Sequence, residues 1–171
     1  MLGACHERVQ RTLALLGRLR AHVALQGSDE SARQAAHDVL RYFDIAAPLH
    51  HQDEELHVFP PLLAQGSPAV VALVLHLLQD HQDMVAEWAA ARQPLQALAD
   101  GQASVFSAED EAALERFALR YVRHIEDEEG VAYPAVQQLL PPEALAPMGR
   151  EMASRRQVMP SRPPGRPRAM A

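Results

Sequence analysis

The sequence predicts an all-α protein: an up-down-up-down four-helix bundle with a pseudo-twofold internal repeat, a short C-terminal helix and a disordered tail. Three observations carry the prediction. Apolar residues make up 48% of the 171-residue chain but aromatics only 5%, and the abundance of Ala and Leu favours helix over sheet. Apolar positions recur at three-, four- and seven-residue intervals between clusters of Gly, Ser and Pro, the period of a helix with one buried face. A His-x3-Glu pattern also occurs twice, 74 residues apart and with matching residues after it, as a duplicated helical pair would give.

The first helix spans about Cys5 to Gln26. Val9, Leu13, Leu16 and Val23 form its stripe, and Arg8, Arg11, Arg18 and Arg20 fall largely off it. Gly27 stops this helix, and Ser28 or Asp29 caps the next. The second helix runs from Glu30 to about Ala64, with Pro48 inside it as a kink or brief break. Gly66 ends it; Ser67 is the next N-cap and Pro68 the first helical residue. The third helix runs from Ala69 to about Ala99 with Pro94 inside. After a loop at Asp100-Gly101-Gln102, Ser107 and Asp110 make a capping signature with acids in the first turn. This fourth helix reaches about Leu140, where Pro141 and Pro142 stop it. A short helix from Glu143 to Arg156 follows, and from Pro160 the Pro-, Arg- and Gly-rich composition predicts disorder. The bundle thus takes residues 1–140, the short helix 141–157 and the tail 158–171. Short loops between four long helices give the up-down-up-down order.

Charge and cysteine content exclude several classes. A net charge of −6 argues against a general nucleic-acid binder. All sixteen basic residues are Arg, which reads as a compositional bias. Cys5 is the one cysteine, so one chain forms neither an internal disulfide nor a thiolate cluster. Residues Met1 to His6 lack a signal-peptide pattern. The longest largely apolar run, Val70 to Leu78, falls far short of the roughly 20 residues that span a bilayer. The expectation is a cytoplasmic protein without nucleic-acid or membrane partners.

The two motif copies are His50-His51-Gln52-Asp53-Glu54 and His124-Ile125-Glu126-Asp127-Glu128. Each is followed by a second Glu, then by an aromatic five after the first Glu, then by Pro: Phe59-Pro60 and Tyr133-Pro134. On a helix, residues four apart lie one turn apart on nearly one face. His50 with Glu54, and His124 with Glu128, therefore each present an imidazole and a carboxylate to one spot. The other two helices each owe a ligand. His6 precedes His50 by 44 residues and His81 precedes His124 by 43, so four His and two Glu surround the bundle axis. Imidazole and carboxylate in a bundle core suit non-haem iron before manganese or zinc. Two Glu can bridge two ions and two His can terminate each, with an oxo or hydroxo bridge and one open position per iron. The register His51 with Glu55 is the alternative pairing, near the boundary at Pro48.

With His6 and His81, the copies HHQDEELHVFP and HIEDEEGVAYP resemble the hemerythrin-like (HHE cation-binding) domains over about residues 2 to 140. The resemblance implies a four-helix bundle holding two oxo-bridged non-haem iron ions. It selects His50 with Glu54 and His124 with Glu128, because in the family the aromatic-Pro pair follows its carboxylate by five and six. Oxygen-carrying hemerythrins have a His-x3-His on the third helix; here the position four after His81 is Val85. They have His-x4-Asp on the fourth helix where this chain has His-x3-Glu. The pattern looks closer to the di-iron proteins linked to iron–sulfur-cluster repair and nitric-oxide chemistry. It implies binding or reduction of O2, NO or peroxide, in sensing, stress response or iron handling, with the redox or regulatory protein partner unknown. The alternative is a non-catalytic iron-binding or regulatory module whose metal is mainly structural.

The remaining candidates read more plainly. His57, two turns after His50, is a polar residue beside the site, with a fifth ligand as the alternative. His51 and Glu55 point about 100° away from the chosen pair and read as solvated or as outer partners. His76, His22 and His37 read as non-ligands. Phe59 and Tyr133 read as core packing below the metal, and Tyr121 as core packing one turn before His124. Cys5 and the Arg/Pro tail read as incidental.

Overall fold

The computed structural model describes residues 2–157, and every element among them is helical. Helix α1 (Leu2–Gln26) ends at Gly27, whose φ of 75° is the left-handed turn that stops it. Helix α2 (Glu30–Arg41) starts at Asp29, whose side chain accepts the Ala32 N–H at 2.7 Å. It continues through a π-helical turn, Tyr42–Ala46, into α3 (Ala47–His57) and, after Val58, into α4 (Phe59–Gln65). Helix α5 (Pro68–Ala99) has Ser67 as N-cap, and Pro94 lies inside it without ending it. Helix α6 (Ala108–Asp127) opens with the Ser107–Asp110 capping box. A second π-helical turn, Glu128–Ala132, leads into α7 (Tyr133–Leu139), and α8 (Pro142–Gln157) follows. The expected tail, residues 158–171, lies outside the described residues.

Four rods result: α1, α2–α3, α5 and α6–α7. Helix α1 packs on α2, α2 on α5, α5 on α6, and α6 back on α1, which closes the bundle. Sequence prediction placed a kink at Pro48. The structure resolves it as the π turn that precedes Ala47 and Pro48. A wider turn accommodates a ring that can neither donate to nor clear the preceding turn's carbonyl.

The core has two apolar parts. One gathers Val9, Leu16, Phe43, Leu95 and Phe117 with their neighbours; the other gathers Phe59, Leu62, Leu77 and Val136. Each fully buried Leu or Phe contributes on the order of 1.5–3 kcal/mol. Along the rods the sequence passes from one part to the other at fixed places. His6 precedes Val9, His50 and Glu54 lie between Ala47 and Val58, and His81 lies between Leu77 and Met84. His124 and Glu128 fall around Ile125 and before Ala132. The polar residues thus form one layer between two apolar ones. Helix α8 docks on α3 through Arg155, whose guanidinium contacts buried Asp53 at 2.6 Å, and through buried Met152. No helix among the described residues is long and apolar enough to cross a membrane.

Candidate metal centre

All six expected residues, His6, His50, Glu54, His81, His124 and Glu128, are buried, with Glu54 and Glu128 at 0% exposure. They form two groups that share both carboxylates. One is His6, His50, Glu54 and Glu128; the other is Glu54, His81, His124 and Glu128, and within each the potential donor atoms lie within 4.8 Å of one another.

The atoms are sorted by side. Glu54 Oε1 lies 3.5 Å from His50 Nε2 and 4.0 Å from His6 Nε2, while its Oε2 lies 3.7 Å from His81 Nε2. Glu128 Oε2 lies 3.1 Å from His6 Nε2, while its Oε1 lies 3.0 Å from His124 Nε2. His81 Nε2 and His124 Nε2 are 3.1 Å apart. Each carboxylate therefore turns one oxygen to each histidine pair, and each histidine turns Nε2 inward.

The opposite ring nitrogens are held from outside. His6 Nδ1 contacts Glu129 Oε1 at 2.9 Å and His81 Nδ1 contacts Glu55 Oε1 at 2.8 Å. The second Glu of each motif thus reaches the lone histidine of the other helical pair. A proton on Nδ1 donates to that carboxylate and leaves the Nε2 lone pair facing the centre. His124 Nδ1 faces Asp80 at 3.5 Å, and Asp80 in turn accepts from Arg120 at 2.8 Å.

The aromatic after each motif crosses over in the same way. Tyr133 stacks on His6 with ring centroids 5.2 Å apart, and Phe59 lies 5.5 Å from His81. Tyr133 is more than packing. Its hydroxyl lies 3.0 Å from His6 Nε2 and donates to Glu54 Oε1. The reading of Phe59 as packing holds; that of Tyr133 is corrected by its polar contacts.

His51 also departs from expectation. It is 9% exposed, stacks on His81 at 4.0 Å and 10°, and joins a third group with His81 and His124. Helix α3 presses that face onto α5 and α6, so a residue 100° off the chosen pair stays inside. His51 Nε2 has no hydrogen bond of normal geometry. His51 also lines an apolar cleft of about 60 Å³ with Phe43, Met84, Val85, Trp88 and Tyr121. His57 faces away from the centre, with Nε2 2.6 Å from Glu151 of α8. His22, His37 and His76 are not in any of the three groups. Sequence reasoning missed Glu129 and the polar role of Tyr133. The signal for Glu129 was the doubled Glu in both motif copies.

Burial and the neighbouring charges set the electrostatics of the cluster. Burial and then repulsion from Glu128 push the Glu54 carboxyl well above the usual range. Burial also pushes Glu128 up, but contacts from His124 and His6 outweigh it and hold Glu128 well below. Burial lowers His50 to about 3, lowers His51 well below the usual imidazole range with help from His81, and lowers His81 with help from His124. His6 is drawn down by burial yet ends raised, because Glu128 and Glu129 favour its cation. Glu54 Oε2 and both Glu128 oxygens have no hydrogen bond of normal geometry, although imidazole nitrogens stand 3.0 and 3.1 Å from Glu128. Short spacing without donor alignment is what lone pairs converging on a common centre produce. The donor set fits cations, and buried carboxylates of this kind call for them.

Residues 1–136 match the model of the hemerythrin HHE cation binding domain. The chain belongs to the hemerythrin HHE cation-binding family. A protein of Haemophilus influenzae described only as uncharacterized is 34% identical over 158 residues, which cover 92% of this chain and 89% of that protein. For this HHE domain the match establishes cation binding as the family property and agrees with the buried His/Glu clusters.

Proposed function

We propose that the chain is a di-iron protein in which His6 and His50 hold one ion, His81 and His124 hold the other, and Glu54 and Glu128 bridge them. The observation that carries this reading is the sorting of carboxylate oxygens, one toward each histidine pair. Imidazole with carboxylate in a bundle core suits non-haem iron, here as an oxo- or hydroxo-bridged pair. Such ions supply Lewis acidity and electrons to a small ligand. The chain's own residues do the rest. Glu129 and Glu55 fix the rings of His6 and His81, and the apolar layers above and below exclude water. The cleft ending on His51 has room for a diatomic molecule or peroxide and no polar lining suited to a larger organic substrate.

This geometry favours O2, NO or peroxide chemistry in sensing, stress response or iron handling in a reducing cytoplasm. Val85 is 70% exposed and lines the cleft, so α5 brings no second histidine to the centre. That supports the type linked to iron–sulfur-cluster repair and nitric oxide over reversible oxygen carriage. The test is iron content and optical spectrum after aerobic loading. Two irons per chain, lost in His50→Ala and Glu54→Ala but retained in His51→Ala, support the reading. Folded protein that takes up no iron, or loss through His51→Ala alone, would sink it. A rapid spectral response to O2, NO or peroxide separates this function from a purely structural metal.

A further inference from the structure

The two halves of the centre are not equivalent. They differ at the aromatic position, where Tyr133 stands beside His6 and Phe59 beside His81. Donors bound cis on a metal at about 2.0–2.1 Å lie about 3 Å apart. The spacing of His6 Nε2 to Glu128 is 3.1 Å, and that of His6 Nε2 to the Tyr133 hydroxyl is 3.0 Å. The same hydroxyl donates to Glu54 Oε1, the oxygen on the His6/His50 side. It is therefore placed among the donors of one group and absent from the other.

The backbone accounts for the placement. In an α-helix, a residue five positions on overshoots by about 140°. After Glu128 the helix widens, and the Tyr133 N–H bonds the Glu128 carbonyl, five residues back. Tyr133 is thus returned over Glu128 and faces the same centre. In the first copy the Val58 N–H bonds the Glu54 carbonyl in ordinary α register.

We propose that Tyr133 is an oxygen ligand of the ion on the His6/His50 side, so that one ion has a phenolate donor and the other does not. This rests on the di-iron reading above. On ligation the phenol O–H breaks, its proton passes to solvent and the oxygen–metal bond forms; no electron moves. A phenolate is a hard donor that favours the ferric state, so this half of the centre is the one held oxidised.

The test is resonance Raman spectroscopy of full-length chain loaded aerobically with ferrous iron, with iron counted on the same sample. The expected result is tyrosinate ring modes under a visible phenolate-to-ferric band. They vanish in Tyr133→Phe when intensity is read per iron bound, and persist in the double variant Tyr42→Phe/Tyr121→Phe. The chain has three tyrosines, so that double variant assigns the signal even if Tyr133→Phe folds poorly. Two irons per chain without tyrosinate modes would overturn the ligand while leaving the di-iron reading standing. Modes that survive Tyr133→Phe would overturn it as well. A chain that binds no iron would overturn both.

Discussion

Glu54→Gln should make the metal-free protein more stable and the metal-binding protein impossible. Glu54 is fully buried, and burial plus the Glu128 charge keep its carboxyl protonated well above its ordinary pKa of 4.5. The sign follows from linkage. The folded state holds a proton that the unfolded state has released, so stability is lost as pH rises above 4.5 toward the raised folded pKa. The loss is about 1.4 kcal/mol for each pH unit over which the folded group keeps its proton. Gln keeps the shape and the oxygen that accepts from Tyr133 but has no proton to lose. At roughly 2–4 °C per kcal/mol for a chain of this size, chelator-treated Glu54→Gln should melt above chelator-treated wild type at pH 7, the gap widening by about 3–6 °C per pH unit above 4.5. The gap should close near pH 4.5. Calorimetry over that pH range, with and without iron, measures it. A lower melting point for the variant at pH 7, or two irons still bound, would refute the reasoning.

Other consequences can be measured alongside. Glu55→Ala and Glu129→Ala leave the rings of His81 and His6 without their Nδ1 acceptors; each should weaken iron binding about 10–100-fold in a chelator competition without unfolding the chain. His57→Ala should leave iron content unchanged, because that ring engages Glu151 of α8; a loss of iron would mean that it reaches the centre. The buried neutral His50, His51 and His81 must take up protons on unfolding as pH falls from 6.5, for His50 toward about 3. Their contribution is lost on acidification and exceeds the opposing Glu54 effect, while raised His6 and Glu54 lose stability above that range. Metal-free protein should therefore be most stable near pH 6–7, and a melting point that climbs steadily toward pH 4 in thermal scans would contradict this.

Much of the fold was legible because it is written in punctuation. Gly27, Asp29, Ser67, Pro68 and the Ser107–Asp110 pair act through local geometry, and each helix boundary falls where they put it. The histidine and carboxylate positions were legible for a similar reason: four-residue spacing on a helix leaves little freedom, and duplication checked each copy against the other. What was not legible depends on contacts between rods. His51 is buried by α5 and α6, not by anything on its own helix. Glu129 and Glu55 act across the bundle at separations of 123 and 26 residues. The π turns were hidden because Pro48 and Pro134 announce a disturbance without saying whether the helix breaks, bends or widens.

The turn at Glu128–Ala132 makes the way the helix closes, not residue identity, the quantity that decides what this end of the molecule turns toward the centre. Gly130 lies within it, exposed, and a methyl group there would meet nothing within 4 Å. Gly130→Ala should be silent. Deleting Gly130 should let the helix close in ordinary register with Tyr133 four residues after Glu128 and still over it. Closing the turn at its present length would instead swing Tyr133 and α7 about 100° around the axis, without altering a single donor side chain. Related chains that lack one residue here would keep the phenol over the same carboxylate on an ordinary helical turn, a likeness that counting residues from the donor positions would overlook.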